Sequence, residues 1–219
     1  NLSGIEDSIA RTLVWTAAWD ATRDGEAPAR DFIKLVLRHI ASETESTTVT
    51  TLLRQLITTG NLYVHPGARE QTLTEIADGL ISLTESAKPG SDNQLQFAKF
   101  VPQFARTNSQ LNWLGGLLDG TKEISGLKVD QDLRWELLTG LVIGGAAGEK
   151  EIAKELESDN TAGGQKFAAA CRAAIPSAVA KAEAWRVLTE TEDYSNTLVN
   201  SASLAFGRVN DLSLLEPYA

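Results

Sequence analysis

The sequence has no methionine, one cysteine and two histidines in 219 residues. Each scarcity closes off a class of chemistry. With Cys171 alone, no disulfide can form within the chain, so a disulfide-stapled secreted scaffold is excluded and a reducing, cytoplasmic setting is expected. A catalytic zinc site of the common peptidase kind needs two histidines four apart on one helix and a downstream glutamate. His39 and His65 cannot supply it: no His-Glu-x-x-His is present, and Pro66 breaks any helix running through His65. No apolar run approaches the roughly 20 residues of a membrane span. Residues Asn1–Gly4 lack the basic and apolar parts of a signal peptide. The missing initiator methionine reads as a chain excised from a longer one. A net charge of -9 argues against nucleic acid, whose phosphates require clustered Lys and Arg.

Strand signals are equally scarce, while helical periodicity recurs from end to end. The pattern predicts helices over about 5–23, 28–42, 47–62, 68–85, 93–106, 109–118, 130–143, 149–157, 161–174, 177–189 and 196–206. In the first, Ile5, Ile9, Leu13 and Ala17 mark one apolar stripe, and Trp15 and Trp19 share a neighbouring face. Pro102 should kink or split the fifth, and Gly120 should cap the sixth. The tenth is expected to bury Val179, Ala182, Trp185 and Leu188. Helices at this spacing, without a literal repeat, predict an all-α fold. The arrangement expected is a right-handed α-solenoid of about eleven antiparallel helices, armadillo/HEAT-like, in a single domain over 1–219.

Candidate chemistry is thin. Cys171 lies in a run of alanines and reads as a small buried apolar group. Gly115-Gly116, Gly144-Gly145 and Gly163-Gly164 follow no strand, so they read as close helix approaches and caps rather than phosphate loops. The carboxylate pairs Glu43/Glu45, Asp130/Asp132 and Glu190/Glu192 read as solvated faces. The tryptophans read as core. Among the basic residues of the first three helices (Arg11, Arg23, Arg30, Arg38 and Arg54), a few on a concave face could meet a carboxylate bidentately. Ion pairs with Asp20, Asp24 and Asp31 account for most of them.

Several runs resemble one family in order. They are Ala10–Trp15 with Trp19–Glu26, Leu52–Leu56, Leu114–Gly120 followed by Asp132–Trp135, Pro176–Trp185, and Phe206-Gly207 with Leu214–Tyr218. Together they resemble the C-terminal helical, endoplasmic-reticulum-aminopeptidase-like domain of bacterial zinc metallopeptidases of the aminopeptidase N type. Arg208–Asp211 departs from the family pattern. The resemblance implies a non-catalytic piece of a larger enzyme, truncated at both ends. Its zinc would lie in the parent catalytic domain, with no cofactor in this chain. The domain would cap that catalytic domain and bound the chamber for a peptide substrate, with Arg11 and Arg54 as candidate channel residues and no catalytic or metal-binding residue. No nucleic acid or membrane partner is implied. The alternative is a free-standing helical-repeat module that binds a peptide or protein in its groove.

Overall fold

Short polar side chains placed just ahead of an apolar period start most of the helices. The computed structural model describes residues 2–219, with the side chain of Ser3 left aside. In it Asp7, Ser91, Thr107, Asp130, Thr161 and Ser177 each accept a hydrogen bond from a backbone N–H two or three residues on. Each cap satisfies one orphan donor of a first turn and is worth about 1 kcal/mol.

Eleven α-helices result among the described residues: α1 (Ser8–Arg23), α2 (Ala29–His39), α3 (Ser46–Thr58), α4 (Pro66–Ser86), α5 (Asp92–Phe100), α6 (Asn108–Asp119), α7 (Gln131–Ile143), α8 (Glu149–Ser158), α9 (Ala162–Ala174), α10 (Ala178–Glu190) and α11 (Asn196–Phe206). No strand occurs among these residues. Three ends differ from the sequence pattern. α2 tightens into a 3₁₀ turn, Ile40–Ser42. α5 stops at Phe100, and Pro102 sits in a 3₁₀ turn. α3 widens into a π turn, Thr59–Tyr63, where the backbone of Gly60 lies directly on Leu73 and Ile76 of α4. Gly120 ends α6 with φ 81°, a left-handed cap that other residues resist.

The chain divides into two compact units, residues 2–105 with 124–128, and residues 106–123 with 129–219. In the first, α1 packs on α2, α2 on α4, α3 on α5 and α4 on α5. Its core holds Trp15, Phe32, Ile33, Val36, Ile40, Leu52, Leu53, Leu56, Ile76, Leu80 and Phe97. Buried Gln94 fastens the 124–128 segment here. Its Nε2 donates to the carbonyls of Thr84 (3.3 Å) and Ser125 (3.1 Å), and its Oε1 accepts from Gly90 N (2.8 Å).

In the second unit α9 is central, packing on α7, α8, α10 and α11. Ala168, Ala169, Cys171, Ala173 and Ala174 leave it thin-walled, so α11 approaches closely through Ala202 and Ala205. At its start, Gly164 lets the Asp159 carbonyl lie where a Cβ would stand.

Two helix faces reverse the apolar pattern. On α1 the Ile9–Leu13 stripe is exposed, and Arg11, Trp15 and Thr22 are buried instead. On α10, Val179 and Trp185 are exposed, and the buried residue is Lys181. In both helices a buried polar anchor, described next, fixes the rotation.

Candidate functional site

The first anchor is built on Glu43, in the turn that follows α2. Arg11 and Trp15 stand four apart on α1, so both side chains reach the same point. Arg11 Nε donates to Oε1 and Oε2 of Glu43 at 3.1 and 3.2 Å, and Trp15 Nε1 donates to Oε1 at 2.8 Å. Arg11 Nη1 donates to the carbonyls of Ile5 and Glu6, both at 2.9 Å. Asn93 Nδ2 donates to the Glu43 carbonyl at 2.9 Å. Glu43 is 2% exposed and Arg11 7%. A pair this far from water is tolerable because further donors satisfy both groups.

Of the two arginines proposed for a substrate channel, Arg11 lies in this cluster and Arg54 stands exposed on α3. Arg23 pairs with Asp20 and Asp24 on the surface, as the charge pattern suggested.

Beside the Glu43 cluster runs a groove of about 290 Å³ between α1 and α3. Thr12, Thr16, Trp15 and Trp19 form one wall, and Thr47, Thr48, Thr51, Leu52 and Gln55 the other. The hydroxyls of Thr12, Thr16 and Thr51 donate to carbonyls of their own helices, leaving lone pairs and methyl groups for the groove. Arg54, on the same helix as Thr51, is not among the residues that line the groove.

The second unit carries two anchors. Arg134 grips Glu155 with Nη2–Oε2 at 2.6 Å and Nε–Oε1 at 2.8 Å, while its Nη1 donates to the Leu118 carbonyl. Gln131 adds a third bond to Glu155 at 2.7 Å. The Arg134 hydrogen bonds hold the Glu155 carboxyl below its ordinary range. Next to it, Trp135 Nε1 donates to Asp159 Oδ2 at 2.8 Å, which lowers that carboxyl too.

Lys181 is fully buried, and no carboxylate is among its bonded partners. Its Nζ donates to the carbonyls of Ala173 (2.6 Å) and Phe206 (2.7 Å), in the last turns of α9 and α11, and lies 5.0 Å from the Phe206 ring centroid. Helix C-termini carry partial negative charge, so one ammonium serves both ends. Burial nonetheless pushes its pKa down to about 8. Trp185 and Tyr218 complete an aromatic cluster around Phe206.

The remaining titratable candidates are inert. Cys171 is buried, 3.3 Å from the Thr139 hydroxyl, and burial raises its thiol to about 11. His65 caps α4, its Nδ1 accepting from Gly67 N. No group of three or more His, Cys, Asp and Glu among the described residues could hold a metal ion. The residues here therefore do not fit a zinc centre. No described helix is long and apolar enough to cross a membrane.

Glu43, expected with Glu45 on a solvated face, is instead 2% exposed, and Glu155 and Lys181 likewise look like surface charges in one dimension. The one available signal was the Pro176–Trp185 run, which contains Lys181.

Comparison with known proteins supplies what geometry alone does not. The model of the ERAP1-like C-terminal domain family matches residues 1–217. Aminopeptidase N of Streptomyces lividans is 39% identical over 218 residues, covering all of this chain and 25% of the relative. The chain thus spans about a quarter of the length of the curated relative that it matches. On the match across its whole length, the chain belongs to the ERAP1-like C-terminal domain family.

Proposed function

We propose that this chain is the non-catalytic C-terminal domain of a zinc aminopeptidase that removes N-terminal residues from peptides. The observation that carries the reading is the family match over 1–217, together with 39% identity to a quarter of an aminopeptidase N. In this reading both units belong to one right-handed solenoid, the zinc is held by the parent catalytic domain, and the enzyme is cytoplasmic. The domain caps the catalytic domain and bounds the peptide chamber. It acts by excluding water and over-long substrates and by positioning the peptide, with no bond chemistry of its own.

The α1/α3 groove supports a place in the chamber wall. It offers acceptors and methyl groups to an extended peptide, and the exposed Arg54, elsewhere on α3, is the guanidinium proposed to meet a carboxylate. Arg11 serves the same wall from behind, by holding α1 on Glu43.

The test compares two proteins. The full-length polypeptide should hydrolyse aminoacyl arylamides and lose that activity to a chelator. The 219-residue chain should hydrolyse none, even with zinc added. Chelator-sensitive turnover by the chain alone would overturn the non-catalytic reading, and an inactive full-length protein that captures peptides would favour a free-standing binding module instead.

A further inference from the structure

A helix that ends a stack of helix pairs needs a polar outer face, because only its inner face has a neighbour. α1 lacks one. Ile9 is 71% exposed, Leu13 66% and Val14 39%. Ala17 continues the row at the same spacing, and Thr12 and Thr16 beside it are uncharged. An isolated exposed apolar residue is ordinary, but a contiguous uncharged stripe along more than two turns marks an interface. The stripe does not come from a loosely held helix. Rotating Ile9 and Leu13 inward would pull Arg11 and Trp15 off Glu43 and leave a buried carboxylate unpaired.

The occupant follows from the curated relative. Only 25% of its length corresponds to this chain, and the matching family is defined as a C-terminal domain. Most of such a polypeptide therefore precedes the matched part. We propose that the Ile9–Leu13–Ala17 face of α1 receives an amphipathic helix from the part of the same polypeptide that precedes Asn1. α1 is then an internal member of the stack. This rests on the reading above in one respect, that the natural polypeptide is longer.

The experiment places Ile9→Cys, and separately Leu13→Cys, in the full-length polypeptide. Alkylation by N-ethylmaleimide is followed on the peptide carrying the new thiol, by mass spectrometry, in native buffer and in urea. Lys34→Cys, at an exposed position of α2, gives the rate of an unshielded thiol, and the buried Cys171 reports folding. Both residues are exposed in the 219-residue chain, so neither substitution should unfold it. The native rate at position 9 or 13 should be at least about tenfold below the urea rate. A cysteine-borne diazirine at position 9 should cross-link to a segment preceding Asn1.

A native rate within about twofold of the urea rate overturns the proposal. So does protection that disappears on dilution, which would mean a second copy, or a cross-link to another chain. An initiator methionine directly before Asn1 in the gene also overturns it. A full-length protein with no aminopeptidase activity but a protected thiol would sink the peptidase reading and leave this inference standing. An active enzyme with a reactive thiol does the reverse.

Discussion

Arg11 and Glu43 lie 3.1 Å apart, 32 positions distant in sequence, with side chains 8% and 1% exposed. Removing one member leaves the other charged and buried, which costs on the order of 3–5 kcal/mol. Glu43→Ala should therefore destabilise the chain by about that much in urea unfolding, because it also strands the Trp15 indole N–H. Glu43→Gln keeps an acceptor for Trp15 and should cost less. Equal, near-zero effects of both would show that the cluster does not hold α1.

Lys181 gives a pH signature. Its folded pKa, about 8, lies below the ordinary lysine value near 10.4. Between these values the unfolded chain holds a proton that the folded chain has released, so this residue's contribution to stability rises with pH. Wild type should gain on Lys181→Met by up to about 3 kcal/mol from pH 7 to pH 10.5. The check is urea unfolding of both proteins across that range. A constant difference between them refutes the assignment.

The start of α9 has no room for a side chain. Gly164→Ala drives a methyl into the Asp159 carbonyl, and Asp159 also holds the Trp135 indole. Overpacking of this kind costs about 1–3 kcal/mol. Gly163→Ala, whose added Cβ would meet only the Thr161 hydroxyl at 3.4 Å, should change the thermal midpoint far less. Equal losses at the two positions would argue against the close approach.

Much of the fold was legible because periodicity reports what neighbours in sequence share. All eleven helices follow from apolar spacing and caps. What one dimension could not reveal was rotation. On α1 the apolar stripe points outward, and on α10 Val179 and Trp185 do while Leu188 packs on the core, since Glu43 and the carbonyls of Ala173 and Phe206 arrive from distant segments and pull Arg11, Trp15 and Lys181 inside. The π turn at Thr59–Tyr63 was hidden for the same reason, as its Gly60 lies against Leu73 on another helix. The groove between α1 and α3 depends on that rotation.

Arg54 offers a functional test within the proposed reading. In the full-length enzyme, Arg54→Ala should raise KM for peptides severalfold, the loss of about 1 kcal/mol from one charge-assisted contact. Its kcat on an aminoacyl arylamide, too short to reach a chamber wall, should stay unchanged. Parallel losses on both substrates would remove Arg54 from the channel.

Cys171 supplies an internal reporter of opening. Buried beside Thr139 with its thiol near pKa 11, it should resist alkylation at pH 8 in native buffer and react within minutes in urea. Rapid labelling of the native chain would show that α9 and α11 part readily.

The 124–128 segment has a consequence for how this protein is made. It belongs to the first unit but is encoded after α6, which belongs to the second. Synthesis from the N-terminus therefore cannot finish the first unit before part of the second has emerged. Until Ser125 leaves the ribosome, Gln94 Nε2 has only the Thr84 carbonyl to bond, and the loop at Gly90 lacks its lid. The nascent chain must carry an incomplete first unit through the synthesis of α6, and no single cut in the gene would yield two self-sufficient halves.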